Sequence, residues 1–263
     1  MERKMAHGEA LKFVEGCRKP DDAEIDANTY SAQEKGEEFI ARMKAEFDEN
    51  DAPFAEIFSK KPIKAVDLSG NNVSVNYAAL ASDGYKVSIV KAGQLWDSKH
   101  NKINFKSAYF EQHTNGCQCV GMDTGAYVFG MATSVTEARD EAYETLRAVS
   151  NVKMTYPIFY DMEVHTSNGK AKNTEIFLAF AEVIQAAGYR CGLYASAGWL
   201  TSYVDWAKLK GQYPLWMAAW TEDPSTESKY VKQYAPDVWQ WGTGNLDGSH
   251  KLDGNLVYRE LRG

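Results

Sequence analysis

From residue 62 onward, short apolar, β-branched runs alternate with segments of helical period, and this alternation limits the fold more than any other feature. Strand-like runs fall at 63–67, 85–90, 126–129, around 158, and at 191–195, 214–219, 238–241 and 256–258. Helical stretches are expected at 75–81, at 105–114, from Val135 through Leu146, and from a cap at Asn173 or Thr174 to Ala187-Gly188. About eight strands separated by helices mark an α/β chain with a parallel sheet or barrel. Toward the C-terminus the helices shorten or vanish, so a closed, irregular (β/α) barrel fits best. Barrels of this kind gather their reactive groups at the C-terminal ends of the strands. Asp67, Asp161 and Glu163 fall at such ends.

The stretch Tyr156-Pro157-Ile158-Phe159-Tyr160-Asp161-Met162-Glu163-Val164 brings two carboxylates to the end of an apolar run. Residues two apart on a strand share a face, with Cα atoms about 6–7 Å apart. Asp161 and Glu163 are therefore expected to project into one cavity. Like charges there push the two pKa values apart, leaving one group an acid and the other an anion. Hydrolysis of a glycosidic bond needs that division of labour.

Composition narrows the partners. The net charge of −7 argues against nucleic acid. Residues 1–60 hold 15 acidic and 9 basic side chains, so six of the seven net negative charges lie there. All seven tryptophans fall after residue 95, so two regions are expected. They are an acidic, mainly helical extension at 1–60 and a catalytic barrel at 61–263. In the extension, Ser31-Ala32-Gln33-Glu34 reads as a capping box, followed by Phe39, Met43 and Phe47 on one face. It either packs on the barrel or binds a wall or protein partner. No run of about 18 apolar residues would insert in a membrane. The N-terminus lacks the apolar core of a secretory signal. Four cysteines suggest neither a disulfide framework nor a zinc module, and Cys117-Gln118-Cys119 with His113 is at most half of a metal site.

Four ordered features carry a resemblance. They are Val66-Asp67-Leu68-Ser69; the run ending Asp161-Met162-Glu163; Gly188-Tyr189-Arg190-Cys191-Gly192-Leu193-Tyr194-Ala195-Ser196; and a C-terminal set. The last comprises Tyr213-Pro214-Leu215-Trp216-Met217-Ala218-Ala219-Trp220, then Val238-Trp239-Gln240-Trp241, then Leu252-Asp253-Gly254-Asn255. Together with Gly125-Ala126-Tyr127 and Glu137-Ala138, this order resembles glycoside hydrolase family 25, the N-acetylmuramidase type of lysozyme, over roughly residues 62–261.

The resemblance implies cleavage of the β-1,4 bond between N-acetylmuramic acid and N-acetylglucosamine in peptidoglycan, with no cofactor and no metal. It implies Glu163 as general acid/base, and Asp161 as the group that orients the substrate's 2-acetamido group. Asp67 and Asp253 are implied as further acids that fix water or sugar hydroxyls and raise Glu163 by like charge. Tyr127, Tyr194, Trp220 and Gln240 are implied near the sugar subsites, where aromatic faces suit pyranose rings. Lys91 stands where Arg is common, keeping the charge but losing the planar fork. After Asp67, the family's Ser-x-His-Gln-Gly run is replaced by Ser69-Gly70-Asn71-Asn72, and the segment 116–125 looks long. A phage endolysin or bacterial autolysin is implied, made in the cytoplasm and acting on the wall after release. No wall-binding repeats follow the barrel before Gly263. Alternatives are a non-catalytic glycan-binding or phage structural protein on the same fold, or a chitinase-like glycosidase. The last usually has acids two and four residues upstream, where Phe159 and Pro157 stand here.

Overall fold

The computed structural model describes residues 61–94, 107–225 and 227–262. The expected N-terminal helices lie outside the described residues. Eight strands, β1 (Ile63–Leu68), β2 (Tyr85–Gln94), β3 (Asp123–Phe129), β4 (Ile158–Asp161), β5 (Cys191–Ser196), β6 (Leu215–Ala218), β7 (Val238–Asn245) and β8 (Lys251–Val257), close into a barrel in chain order. Neighbours from β1 to β7 are parallel, while β8 is antiparallel to both β7 and β1. Between them lie α1 (Tyr77–Ser82), α2 (Phe110–Cys119), α3 (Val135–Val149), α4 (Gly169–Ala186), α5 (Ala197–Ser202), α6 (Trp206–Leu209) and α7 (Lys229–Tyr234).

Alternation along the strands separates two apolar layers. Ala65, Val87, Ile89, Phe159, Trp216, Val238 and Val257 fill the barrel interior. Val66, Val90, Ile158, Tyr160, Leu193 and Trp239 face outward beneath the helices. This parity turns Asp67, Lys91, Tyr127, Asp161, Tyr194 and Gln240 inward, one layer above the interior packing.

Four expectations need correction. Asn173 and Thr174 do not cap α4: the helix begins at Gly169, and both residues are buried within it. The expected helix at 105–114 is α2, running from Phe110 to Cys119 and into the start of the segment that looked long before β3. The D-x-E run is not one strand. The ladder ends when Met162 N–H donates to the Tyr194 carbonyl at 2.9 Å, leaving Glu163 beyond β4. The last strand is also longer than expected, because the β7–β8 hairpin pairs as far out as Asn245 and Lys251.

Helix α3 starts as its sequence dictates. Ser134 accepts from Glu137 N–H at 3.2 Å, while the Glu137 carboxylate accepts from Thr133 N–H at 2.7 Å. One turn on, Glu141 is fully buried. Its carboxylate accepts from Met131 N–H at 2.8 Å and from the Tyr160 hydroxyl of β4. Burial pushes this carboxyl up to about 7, against those hydrogen bonds. A folded value above the unfolded one means that the native state binds the proton more tightly. Stability from this group is therefore complete below about 4.5 and is lost as pH rises through 7. The loss is on the order of 3 kcal/mol for such a displacement. Glu141→Gln is expected to flatten the decline in melting temperature between pH 5 and 8, measured by calorimetry at matched ionic strength. An equally steep decline in the variant would assign it to other groups.

Candidate active site

The rim formed by the C-terminal ends of β1–β7 collects the polar residues. Asp67 is 6 % exposed, and its Oδ2 accepts from Gln240 Nε2 at 3.0 Å and Asn255 Nδ2 at 2.8 Å. Gln240 Oε1 accepts from the Tyr194 hydroxyl at 2.9 Å and from Trp220 Nε1 at 3.1 Å. An indole N–H donates only, so the bond from Trp220 fixes the orientation of the Gln240 amide. Asp67, Tyr194, Trp220 and Gln240 thus form one connected set. Asp253 pairs with Asp67 across β1 and β8.

The second group lies across the barrel. Asp161 pairs with Tyr194 in the ladder and is 4 % exposed, and its Oδ1 is buried without a hydrogen-bond partner. Glu163, two residues further, is open to solvent. Lys91 is half-buried; its Nζ donates to Gln94 Oε1 at 2.6 Å and sits 4.9 Å from the centre of the Phe129 ring. Tyr127 meets Trp216 edge-on at 5.6 Å, and Tyr194 lies 4.4 Å from the same indole. Trp216 is therefore the floor on which two rim tyrosines rest. Trp220, 62 % exposed, stands above them.

Electrostatics follow from withheld water. Burial, then the charge of Asp253, pushes Asp67 up to about 8 despite its two amide donors. Burial, then Glu163, raises Asp161 well above the usual carboxylate range; Lys91 opposes the rise and Asp67 adds to it. Glu163 is raised by burial and drawn back by Lys91. The like charge expected to act on Glu163 instead runs from Asp253 to Asp67 and from Asp67 to Asp161. Lys91 is itself lowered by burial, opposed by the two acids.

Asn255 and Trp216 were missed as site residues, although both occur in the quoted motifs. Asn255 joins Asp67 to Trp216, whose Nε1 donates to Asn255 Oδ1 at 2.8 Å. The signal was available: Asp253 and Asn255 are two apart, as Asp161 and Glu163 are. The suspected half-site at His113 is otherwise engaged. His113 is buried, with one ring nitrogen 2.9 Å from the Tyr77 hydroxyl and the other 3.1 Å from the Ser69 carbonyl. Among the described residues, no group of three His, Cys, Asp or Glu side chains could hold a metal ion.

Residues 66–248 match the family model of glycosyl hydrolases family 25. No curated protein matches the chain. The CTP1L endolysin is 24 % identical, with a TM-score of 0.60 over 74 % of this chain and 66 % of that one. GHIP, a glycosyl hydrolase 25 of Streptococcus pneumoniae, is 21 % identical, with a TM-score of 0.61 over 80 % and 94 %. A family 25 glycosyl hydrolase from Bacillus anthracis is 21 % identical, with a TM-score of 0.58 over 76 % and 90 %. This chain spans just under two thirds of the CTP1L endolysin and 46 % of the modular autolysin LytC from Streptococcus pneumoniae. At these identities the solved structures speak for the fold, and the family model, covering well over half of the sequence, speaks for descent. The chain belongs to glycosyl hydrolases family 25 and is a glycoside hydrolase.

Proposed function

We propose that the chain is a peptidoglycan muramidase that hydrolyses the β-1,4 bond between N-acetylmuramic acid and N-acetylglucosamine. In this reading Glu163 is the general acid/base, and the substrate's own acetamido oxygen attacks the anomeric carbon. The observation that supports it best is the unpartnered Oδ1 of Asp161. A buried carboxyl oxygen without a hydrogen-bond partner is costly in the empty protein. The acetamido N–H of a bound sugar supplies the missing donor.

Burial places the pair's shared proton mainly on Asp161 while the cleft is empty. An N–H donated to Asp161 favours its anion and leaves the proton to Glu163, so substrate binding prepares the acid. Glu163 then gives its proton to the leaving oxygen as the acetamido oxygen bonds to the anomeric carbon. The Asp161 anion faces the positive charge that develops on the acetamido group. Water, deprotonated by Glu163, opens the ring so formed. Tyr127, Tyr194, Trp220 and Gln240 offer faces and hydrogen bonds to the sugars, and Asp67 and Asp253 fix hydroxyls. With all four acids in place, a purely glycan-binding or structural role has less in its favour. Action on the wall after release from the cell belongs to the same reading, as does a catalytic unit at 61–263 with a wall- or protein-binding extension at 1–60. Among the described residues no helix is long and apolar enough to cross a membrane.

Glu163→Gln is expected to lower reducing-end release from purified walls by about 10²-fold or more while the protein stays folded. In the same assay, glycans with de-N-acetylated muramic acid should be cleaved far more slowly than matched acetylated ones. Equal rates on the two would replace internal attack by direct attack of water.

Lys91→Met is expected to move the pH profile of kcat/KM toward higher pH. The ammonium holds both Asp161 and Glu163 down, so its removal lets both keep their protons longer. A profile that stays in place or moves toward lower pH would show that Lys91 does not set these acids.

A chain beginning at Lys61 is expected to remain soluble and to cleave small muropeptides, because β1 pairs with both β2 and β8 and the barrel closes within the described residues. An insoluble or molten truncation would make residues 1–60 part of the core.

A further inference from the structure

Glu163 stands outside the sheet. Its last ladder bond upstream is Met162 N–H to the Tyr194 carbonyl, and downstream the chain enters a 3₁₀ turn at Thr166–Asn168. Behind it lies a small cavity lined by Gly130, Tyr160, Met162, His165 and Asn173 as well as Glu163 itself. With the strand ending at Asp161, the sheet by itself does not keep the Glu163 segment from shifting.

What limits the shift is a set of hydrogen bonds that the reaction itself does not use. His165 Nε2 lies 2.8 Å from the Met131 carbonyl. A carbonyl only accepts, so Nε2 carries the proton. Met131 is fixed in turn, because its N–H donates to the buried Glu141 and Gly130 N–H donates to the Asp161 carbonyl at 2.9 Å. Gly130 permits that approach: a Cβ there would lie 2.6 Å from Tyr160 Cζ and 2.9 Å from the Asp161 carbonyl oxygen. On the other side, the fully buried Asn173 donates from Nδ2 to the His165 carbonyl at 3.2 Å and to the Tyr203 carbonyl at 3.1 Å. Asn168 Nδ2 closes the set on Asn173 Oδ1 at 3.1 Å.

We propose that His165 is a positioning residue for Glu163, tying the segment that carries it to the β3–α3 loop through the Met131 carbonyl, with Glu141 and Asn173 bracing the two ends of the tie. The inference rests on Glu163 as the general acid. A proton donor must sit within hydrogen-bond reach of the leaving oxygen, and a misplacement of about 1 Å costs on the order of 10²-fold in rate. Asp161 is held by the ladder, whereas Glu163 is held by this tie. The distance between the two acids is therefore fixed by His165 rather than by the sheet.

The test compares two polar substitutions at this half-buried position. The amide nitrogen of Gln occupies the place of His Nε2 along the side chain and can reach the Met131 carbonyl; that of Asn is too short. On soluble, uncrosslinked N-acetylated glycan strands, His165→Asn is expected to lower kcat by about tenfold or more with KM within about twofold. His165→Gln should keep most of the wild-type kcat, with melting temperatures alike for the two. Should the Asn variant fail to fold, His165→Leu, which keeps the bulk and removes the donor, takes its place. Wild-type kcat in the variant without a reaching donor would overturn the proposal, as would equal losses in the Asn and Gln variants. Glu163→Gln, run alongside, separates the two readings. If it is inactive while His165→Asn is normal, only the tie is wrong; if it is fully active, the acid assignment falls and the tie with it.

Discussion

The rim of the barrel is ordered around one side-chain amide. Gln240 donates to Asp67 and accepts from Tyr194 and Trp220, so a single residue of β7 sets the geometry of β1, β5 and the segment after β6. The bond to Asp67 matters most, because that carboxyl is almost fully withdrawn from water. Without two amide donors a charge there would carry its whole desolvation cost. Even with them Asp67 is pushed up to about 8, so its proton is held near neutral pH rather than surrendered. The arrangement balances hydrogen bonds that favour the anion against burial and a neighbouring acid that oppose it. Interactions in such a dry rim are stronger than at an open surface, which is what a site handling protons requires.

The antiparallel last strand makes this possible. In an all-parallel barrel each strand reaches the rim with its C-terminal end. Here β8 runs the other way, and Asp67 faces Asp253 while Lys64 faces Leu256. The N-terminal half of β8 therefore delivers Asp253 to the rim, with Asn255 two residues further along on the same face. Asn255 links Asp67 to the indole N–H of Trp216, which supports Tyr127 and Tyr194 from below. The hairpin closes the barrel and at the same time completes the polar layer.

That reversal also explains which parts of the site could be read from the sequence. Alternation gave the strands and the barrel, because buried strands and amphipathic helices differ in period. Asp67 and Asp161 followed from sitting where apolar runs stop. Asn255 escaped because the rule of C-terminal strand ends does not apply to a strand that runs backward. Glu163 was expected to share a strand face with Asp161, whereas the strand ends at Asp161 and Glu163 lies beyond it. Asn173 and Thr174 were misplaced because both are good N-caps by type, whereas in α4 they are buried. Asn173 there braces the Glu163 loop, and Thr174 bonds the Lys170 carbonyl at 2.7 Å and accepts from Asp205 N–H at 2.9 Å. Local propensity yielded to tertiary hydrogen bonding at both positions.

The two acids of the D-x-E run are thus unlike in support as well as in exposure. Asp161 is locked into the ladder between Phe129 and Tyr194, dry, and lacks one donor. Glu163 is open and sits on a segment that side chains hold in place. A group that must meet a leaving oxygen, give up a proton and later take one from water needs access to solvent. A group that must stabilise a transient positive charge needs a dry and fixed place. Ending the strand between them gives each acid its own environment from a spacing of two residues, which an uninterrupted strand would not allow. Separation of two chemically similar carboxyls by burial and support, rather than by sequence distance, is what the proposed mechanism asks of this pair.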